Sequence, residues 1–290
     1  MKLLDEVRES CRAVAQSARY VSIDIDAAPA LVDAPPPALD RERHYLEGER
    51  GDVASYLLTL DAINFGSGWF PTLRKRPGCS GYFTVAWALA DRFRARGPWS
   101  SAELRALDED ELAASLEQQR GHPLMRLYAE AMRDLGRFLG ERSALDVVAE
   151  AEGSAERLAT LLARGMRFFD DRGFYKRAQI VPSDLALGCG AEFGDLDRLT
   201  IFADNLVPHV LRVDGVLRYD PELADHIDSE RLLPPGRRER EIRACALYAC
   251  ELLSERTGIA PRLLDLTLWN RGQAPQYKAI PRHRTRSVFY

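Results

Sequence analysis

A chain of 290 residues with 46% hydrophobic side chains has ample apolar mass for a buried core, which excludes an intrinsically disordered class. Its net charge is −4, with arginines and acids interspersed, which argues against broad, sequence-independent binding to DNA or RNA, since that needs a basic surface. None of the five cysteines forms a C-x-x-C pair, and no histidine stands at metal-ligand spacing from one, so neither a disulfide framework nor a metal centre is expected.

The first ten residues are charged throughout, unlike a signal peptide or membrane anchor, and no apolar run is long enough to span a bilayer. The expectation is a cytoplasmic protein with no membrane partner. Residues 2–19 place Leu3, Leu4, Val7, Cys11, Val14 and Ala18 at helical spacing, predicting an amphipathic helix. Ser22–Asp26 is short and alternating and reads as extended. Pro35-Pro36-Pro37 makes a stiff spacer. His44 follows in Arg-Glu-Arg-His-Tyr, and on pattern alone a histidine among charges reads as surface.

Residues 53–65 predict a deeply buried helix in which Asp61, Asn64 and Phe65 share a face. A polar pair there needs hydrogen-bond partners, either backbone groups or a ligand. Gly66-Ser-Gly68 ends the helix, and Arg74-Lys75-Arg76 is a solvated basic loop. Ser80 to Arg96 is a helix whose aromatics Tyr82, Phe83, Trp87 and Phe93 read as core. Residues 100–165 are helical scaffold: Ser100-x-x-Glu103 is a capping box, Asp108-x-x-Glu111 resembles one, and Pro123 suits a first helical turn.

The stretch from Phe174 to Asn205 carries the densest chemistry. Phe174-Tyr-Lys-Arg-Ala-Gln179 sets two cations beside two aromatics, and Leu199-Thr-Ile-Phe-Ala-Asp-Asn205 delivers one carboxylate, Asp204, at the end of an apolar run. Lysine is nearly absent from the chain, so the internal Lys176 stands out. Pro182-Ser183-Asp184 reads as a break in the helix begun near Tyr175, with Ser183 capping the next turn. Residues 196–205 are helical by pattern; Phe202 and Asp204 reach one pocket only if the backbone there is irregular. Arg237 to Arg256 is a strong helix, and Pro261 opens a last one bearing Asp265 among four leucines. That acid must meet a cation, a donor or a ligand. The tail 277–290 mixes cations with aromatics and folds back as a weak anion site. At least ten helices, almost no strands and no convincing linker imply an all-α fold in a single domain spanning 1–290.

Seven blocks in order resemble the queuosine salvage protein family. They are Asp61-Ala-Ile-Asn-Phe65, Ser80-Gly-Tyr82, Phe174–Gln179, Thr200–Asp204, Glu241-Ile-Arg243, Leu263-Leu-Asp265 with Leu268-Trp269, and Ile280-Pro-x-His-Arg284 through Phe289-Tyr290. The resemblance implies a helical fold similar to DNA glycosylases and a hydrolase of queuosine 5′-monophosphate. Such an enzyme cuts the N-glycosidic bond and releases queuine, a 7-deazaguanine base, for tRNA modification, without a cofactor. It implies Asp204 as the catalytic carboxylate that steadies positive charge on the ribose. Phe202 then stacks on the base, and Asp265 meets the cationic amine of its cyclopentenediol arm or its guanine-like edge. His44, Leu266 and Asn270 match binding positions; some members carry Tyr and Asp at the last two. Lys176, Arg177 or the tail cations hold the 5′-phosphate. Two rival readings are a DNA-base glycosylase, which needs a basic duplex-binding face, and a non-catalytic queuine-binding protein whose acids are structural.

Overall fold

Capping side chains open most helices of the N-terminal half. The computed structural model describes residues 2–29 and 38–290, so the proline spacer at 35–37 lies outside the described residues. α1 (Leu3–Gln16) buries Leu4, Val7 and Cys11 and leads into a short strand, β1 (Val21–Ile23). α2 (Arg50–Ala62) is buried on nearly every face, as its leucine-rich sequence requires. Ser80 caps α3 (Gly81–Arg96) by accepting the Phe83 N–H. A capping box of Ser100 and Glu103 starts α4 (Ser101–Ala106), and Asp108 caps α5 (Glu109–Ser115). α6 (Pro123–Leu139) has proline in its first turn, α7 (Ala144–Glu150) a second capping box from Ser143 and Asp146, and α8 (Ala155–Gly165) the cap Ser154.

The second half comprises α9 (Lys176–Cys189), α10 (Val207–Val213), β2 (Leu217–Tyr219), α11 (Pro221–Asp228), α12 (Arg237–Thr257), α13 (Pro261–Arg271) and α14 (Pro275–Lys278). The two strands pair antiparallel, Ser22 opposite Arg218, and form the one sheet among the described residues. The fold is essentially all-α, as the periodicity predicts. α9 lies between α2 and α8, while α12 supports α1, β1, α10 and α13. Their buried apolar side chains join in a contiguous cluster that runs from Val7 to Tyr277. Among the described residues no helix is long and apolar enough to cross a membrane.

Four expectations fail locally. Pro182 does not break its helix: α9 runs through it to Cys189, and Ser183 caps nothing. A mid-helix proline costs about 3 kcal/mol, but residues Lys176 through Leu185 are all buried, and that packing offsets the lost bond. Residues 196–205 are not a helix; one turn of 3-10 helix at Leu196–Arg198 gives way to an extended run. α2 stops at Ala62, so Asn64 and Phe65 lie past its end. α13 is followed by one more turn, α14, before the tail.

The tail does fold back, burying His283, Thr285 and Tyr290. Gly66 makes this docking possible: its φ of +100° suits glycine, and its N–H donates to the Tyr290 carbonyl at 2.9 Å. At Gly68 a Cβ would sit 2.5 Å from the Thr285 carbonyl oxygen, so only glycine lets the two segments approach.

Candidate active site

A cavity of about 1040 Å³ opens between α9, α13, the start of α3, the extended run 199–206 and the tail. The extended run is held almost wholly by side chains, which explains why its helical pattern loses. Gln179 accepts the Thr200 N–H at 2.9 Å, Asp265 accepts the Phe202 N–H at 2.8 Å, and Arg243 donates to the Ala203 carbonyl at 2.9 Å. Asn205 donates to the His283 carbonyl at 3.1 Å. Three partners from α9, α12 and α13 thus satisfy backbone groups that a helix would have paired internally, and Asn205 ties the run to the tail. Arg243 is itself fixed by Asp171 at 2.5 Å and by the faces of Phe174 and Tyr290.

This geometry puts Phe202 and Asp204 on the same cavity. Oδ1 of Asp204 accepts the N–H groups of Leu206 at 2.7 Å and Val207 at 3.1 Å, which orients the carboxyl at the start of α10. Oδ2 has no hydrogen bond with any described residue, and no guanidinium is paired with the group. Phe202 packs with Ile180 and Leu199 while also lining the cavity. Asp265, one helix away, is 4% exposed. Burial, then the charge of Asp204, push its pKa up to about 8, against the Phe202 N–H, which lowers it. It is thus a carboxyl inclined to keep its proton near neutral pH.

Lys176 lies at the first turn of α9, buried, with only a 3.5 Å contact to the Asn64 carbonyl. Burial lowers its pKa and the charge of Asp204 opposes that. Arg282 of the tail lines the same part of the cavity, makes no ion pair with a described residue, and feels the charge of Asp204. Ser67, 8% exposed, lines the cavity, and its hydroxyl is buried with no partner among the described residues. Arg177 contradicts its expected role. Its guanidinium is fully buried away from the cavity, donating to the carbonyls of Asp61 (3.2 Å), Ala62 (2.6 Å), Val288 (2.7 Å) and Phe168. It caps the C-terminal end of α2 and pins the tail; its terminal N–H groups are spent on carbonyls, and the remaining Nε–H is sealed in the protein interior, where no phosphate in the cavity reaches it.

His44 is buried rather than on the surface. Arg43, whose charge suggested exposure, stacks on Phe83, and Arg94 donates to the His44 carbonyl. The imidazole bridges the Asp40 carbonyl (Nδ1, 2.8 Å) and the Tyr82 hydroxyl (Nε2, 2.9 Å), and burial lowers its pKa. Tyr82 and Phe83, expected in the core, wall the cavity beside Trp269. Leu266 and Asn270 also line it, Asn270 at the exposed rim.

The structure thus gathers His44, Lys176, Phe202, Asp204, Asp265, Leu266 and Asn270 round one cavity and leaves Arg177 out. Sequence reasoning missed Ser67, Tyr82 and Asp184. The signal for Asp184 was present as the spacing Lys176, Ile180, Asp184, one stripe of a helix; reading Pro182 as a break concealed it. Asp61, beneath the cavity, keeps one oxygen 3.4 Å from the Asn64 amide and the other without a partner. Among the described residues no three His, Cys, Asp or Glu side chains are grouped to hold a metal ion.

Comparison with known proteins fits this arrangement. The family model described as "Queuosine salvage protein" matches residues 44–290. A Sphaerobacter thermophilus protein named queuosine 5′-phosphate N-glycosylase/hydrolase is 35% identical, over 98% of this chain and 97% of that protein. Proteins of the same name from Mus musculus and Bos taurus are 28% and 29% identical, each over 98% of both chains.

Proposed function

Since the chain belongs to the queuosine salvage protein family, we propose that it hydrolyses the N-glycosidic bond of queuosine 5′-monophosphate and releases queuine. The observation that carries this reading is Asp204: a carboxyl lining a cavity of nucleotide size, held through one oxygen and with no partner among the described residues at the other, beside the ring of Phe202.

As the bond from C1′ to the base nitrogen lengthens, its electron pair leaves with the base and positive charge gathers on the ribose. A carboxylate fixed beforehand stabilises that charge without reorganising. Water then bonds to C1′ and gives up a proton, and the departing base gains one. Phe202 supports the flat base. Asp265, inclined to carry a proton, suits an acceptor on the guanine-like edge, where a hydrogen bond strengthens as the base gains electrons. Lys176, held only by a long contact to the Asn64 carbonyl, and Arg282 and the Ser67 hydroxyl, with no acceptor among the described residues, suit the 5′-phosphate. The reading is of a cytoplasmic enzyme that needs no nucleic-acid partner, in keeping with the net charge of −4.

The direct test is incubation with queuosine 5′-monophosphate followed by chromatography for free queuine and ribose 5-phosphate. Absence of both products under conditions where queuine binds would leave only a carrier.

A further inference from the structure

Asp184 is 8% exposed, lines the cavity, and has no hydrogen bond or ion pair with any described residue. It stands eight residues beyond Lys176 on the same stripe of α9, so at the helical rise of 1.5 Å the two Cα atoms are about 12 Å apart. The two side chains lean into one cavity from positions two turns apart, and the charge of Lys176 still reaches Asp184.

Asp184 acts on Tyr82 across this cavity, and besides the charge of Lys176 this wall offers acceptors and aromatic faces. The Asp40 carbonyl can only accept, so Nδ1 of His44 carries the hydrogen and Nε2 accepts from Tyr82. The Tyr82 hydrogen is thereby committed, and its oxygen offers lone pairs alone. Phe83 and Trp269 pack against Tyr82 with ring centroids 5.2 and 6.0 Å away. Arg43, the cation on this wall, is paired with Asp40 at 3.0 Å and stacked on Phe83. A carboxyl with no partner among the described residues, an acceptor-only oxygen and aromatic faces together suit an organic cation bearing N–H donors.

Resting on the reading of the cavity as a queuosine 5′-monophosphate site, we propose that Asp184 is the counter-ion of the secondary ammonium on the cyclopentenediol arm, with the Tyr82 oxygen accepting a second hydrogen from that arm. The division of labour is then complete: Lys176 and Arg282 take the phosphate end, Asp265 the guanine-like edge, and Asp184 the arm. Asp184 sets specificity for the arm-bearing base and has no part in bond cleavage.

The test is a chemical double-mutant cycle read by calorimetry. Queuine and an ether analogue, oxygen replacing the arm nitrogen, are titrated into wild type and into Asp184→Asn. Wild type should bind queuine roughly 10- to 100-fold more tightly than the ether, as for a charge-assisted hydrogen bond. Asp184→Asn should bind the two alike, and Asp184→Glu should recover part of the preference. Equal binding of both bases by wild type overturns the proposal without needing any variant to fold. So does an undiminished preference in Asp184→Asn. Base release is scored separately: a protein that prefers queuine over the ether but frees no base keeps the amine site and loses the hydrolase reading. One that frees base but ignores the arm nitrogen does the reverse.

Discussion

Asp265 accepts the backbone N–H of Phe202 at 2.8 Å, across 63 residues of chain. That bond couples the base-reading helix α13 to the extended run that presents Asp204, so the two parts of the site cannot move independently. It also means that removing the Asp265 side chain unties the Phe202 backbone, and the conservative amide is the informative replacement.

Asp204→Asn keeps an oxygen able to accept from Leu206 and Val207, so α10 should keep its start and the melting temperature should change little. Turnover should fall on the order of 10³-fold or more, the scale of losing a preorganised charge stabiliser. Single-turnover release of queuine, with a thermal melt alongside, decides it. Retention of most activity would remove Asp204 from the chemistry.

Asp265 has a folded-state pKa of about 8 against 3.8 for an ordinary aspartate, because burial penalises its charge. Between those values the folded protein holds a proton that the unfolded chain has released. Its contribution to stability is therefore full below about pH 4 and is lost as pH rises through about 8. Asp184, raised to about 7, and Asp61, which burial holds well above the usual carboxylate range, act in the same direction. Ligand-free Asp265→Asn should thus gain on wild type as pH rises from 5 to 8, by up to about 1.4 kcal/mol per pH unit. Urea titrations across that range test this; a constant gap refutes it.

Lys176→Ala and Arg282→Ala should each raise KM for queuosine 5′-monophosphate by roughly 10- to 100-fold, while the unphosphorylated nucleoside is little affected. Ser67→Ala, losing a neutral hydroxyl, should cost about threefold to tenfold by the same measure. Steady-state kinetics on both substrates provide the comparison, and equal losses on the two would move the phosphate elsewhere.

Arg177→Met should behave as a folding variant. It strips donors from the carbonyls of Asp61, Ala62, Phe168 and Val288, and buried carbonyls left unpaired cost about 1–3 kcal/mol each. A large drop in the urea midpoint is expected, with no discrimination between nucleotide and nucleoside in whatever remains folded. A stable variant with selective loss on the nucleotide would restore Arg177 to the phosphate site.

The sequence by itself determined the helices. Caps at Ser80, Ser100, Asp108 and Ser154 and the prolines at 123 and 261 are local signals, acting within one turn, and each appears where its residues dictate. Periodicity fixed the fold class, and the ordered blocks pointed to a minority of the cavity-lining residues, Asp204 and Phe202 among them. What only the tertiary structure decided was where backbone and side-chain polar groups are satisfied from far along the chain. Residues 199–205 have a helical pattern but are extended, since Gln179, Asp265 and Arg243 supply their hydrogen bonds. Arg177 and Lys176 are adjacent in sequence, yet one is spent on carbonyls and the other faces the cavity. Helix α9 carries Pro182 because its burial outweighs one missing bond, and so brings Asp184 into line with Lys176. Periodicity and capping act over a few residues; the pairing of buried polar groups depends on which distant segments meet, and that is settled only when the chain has closed on itself.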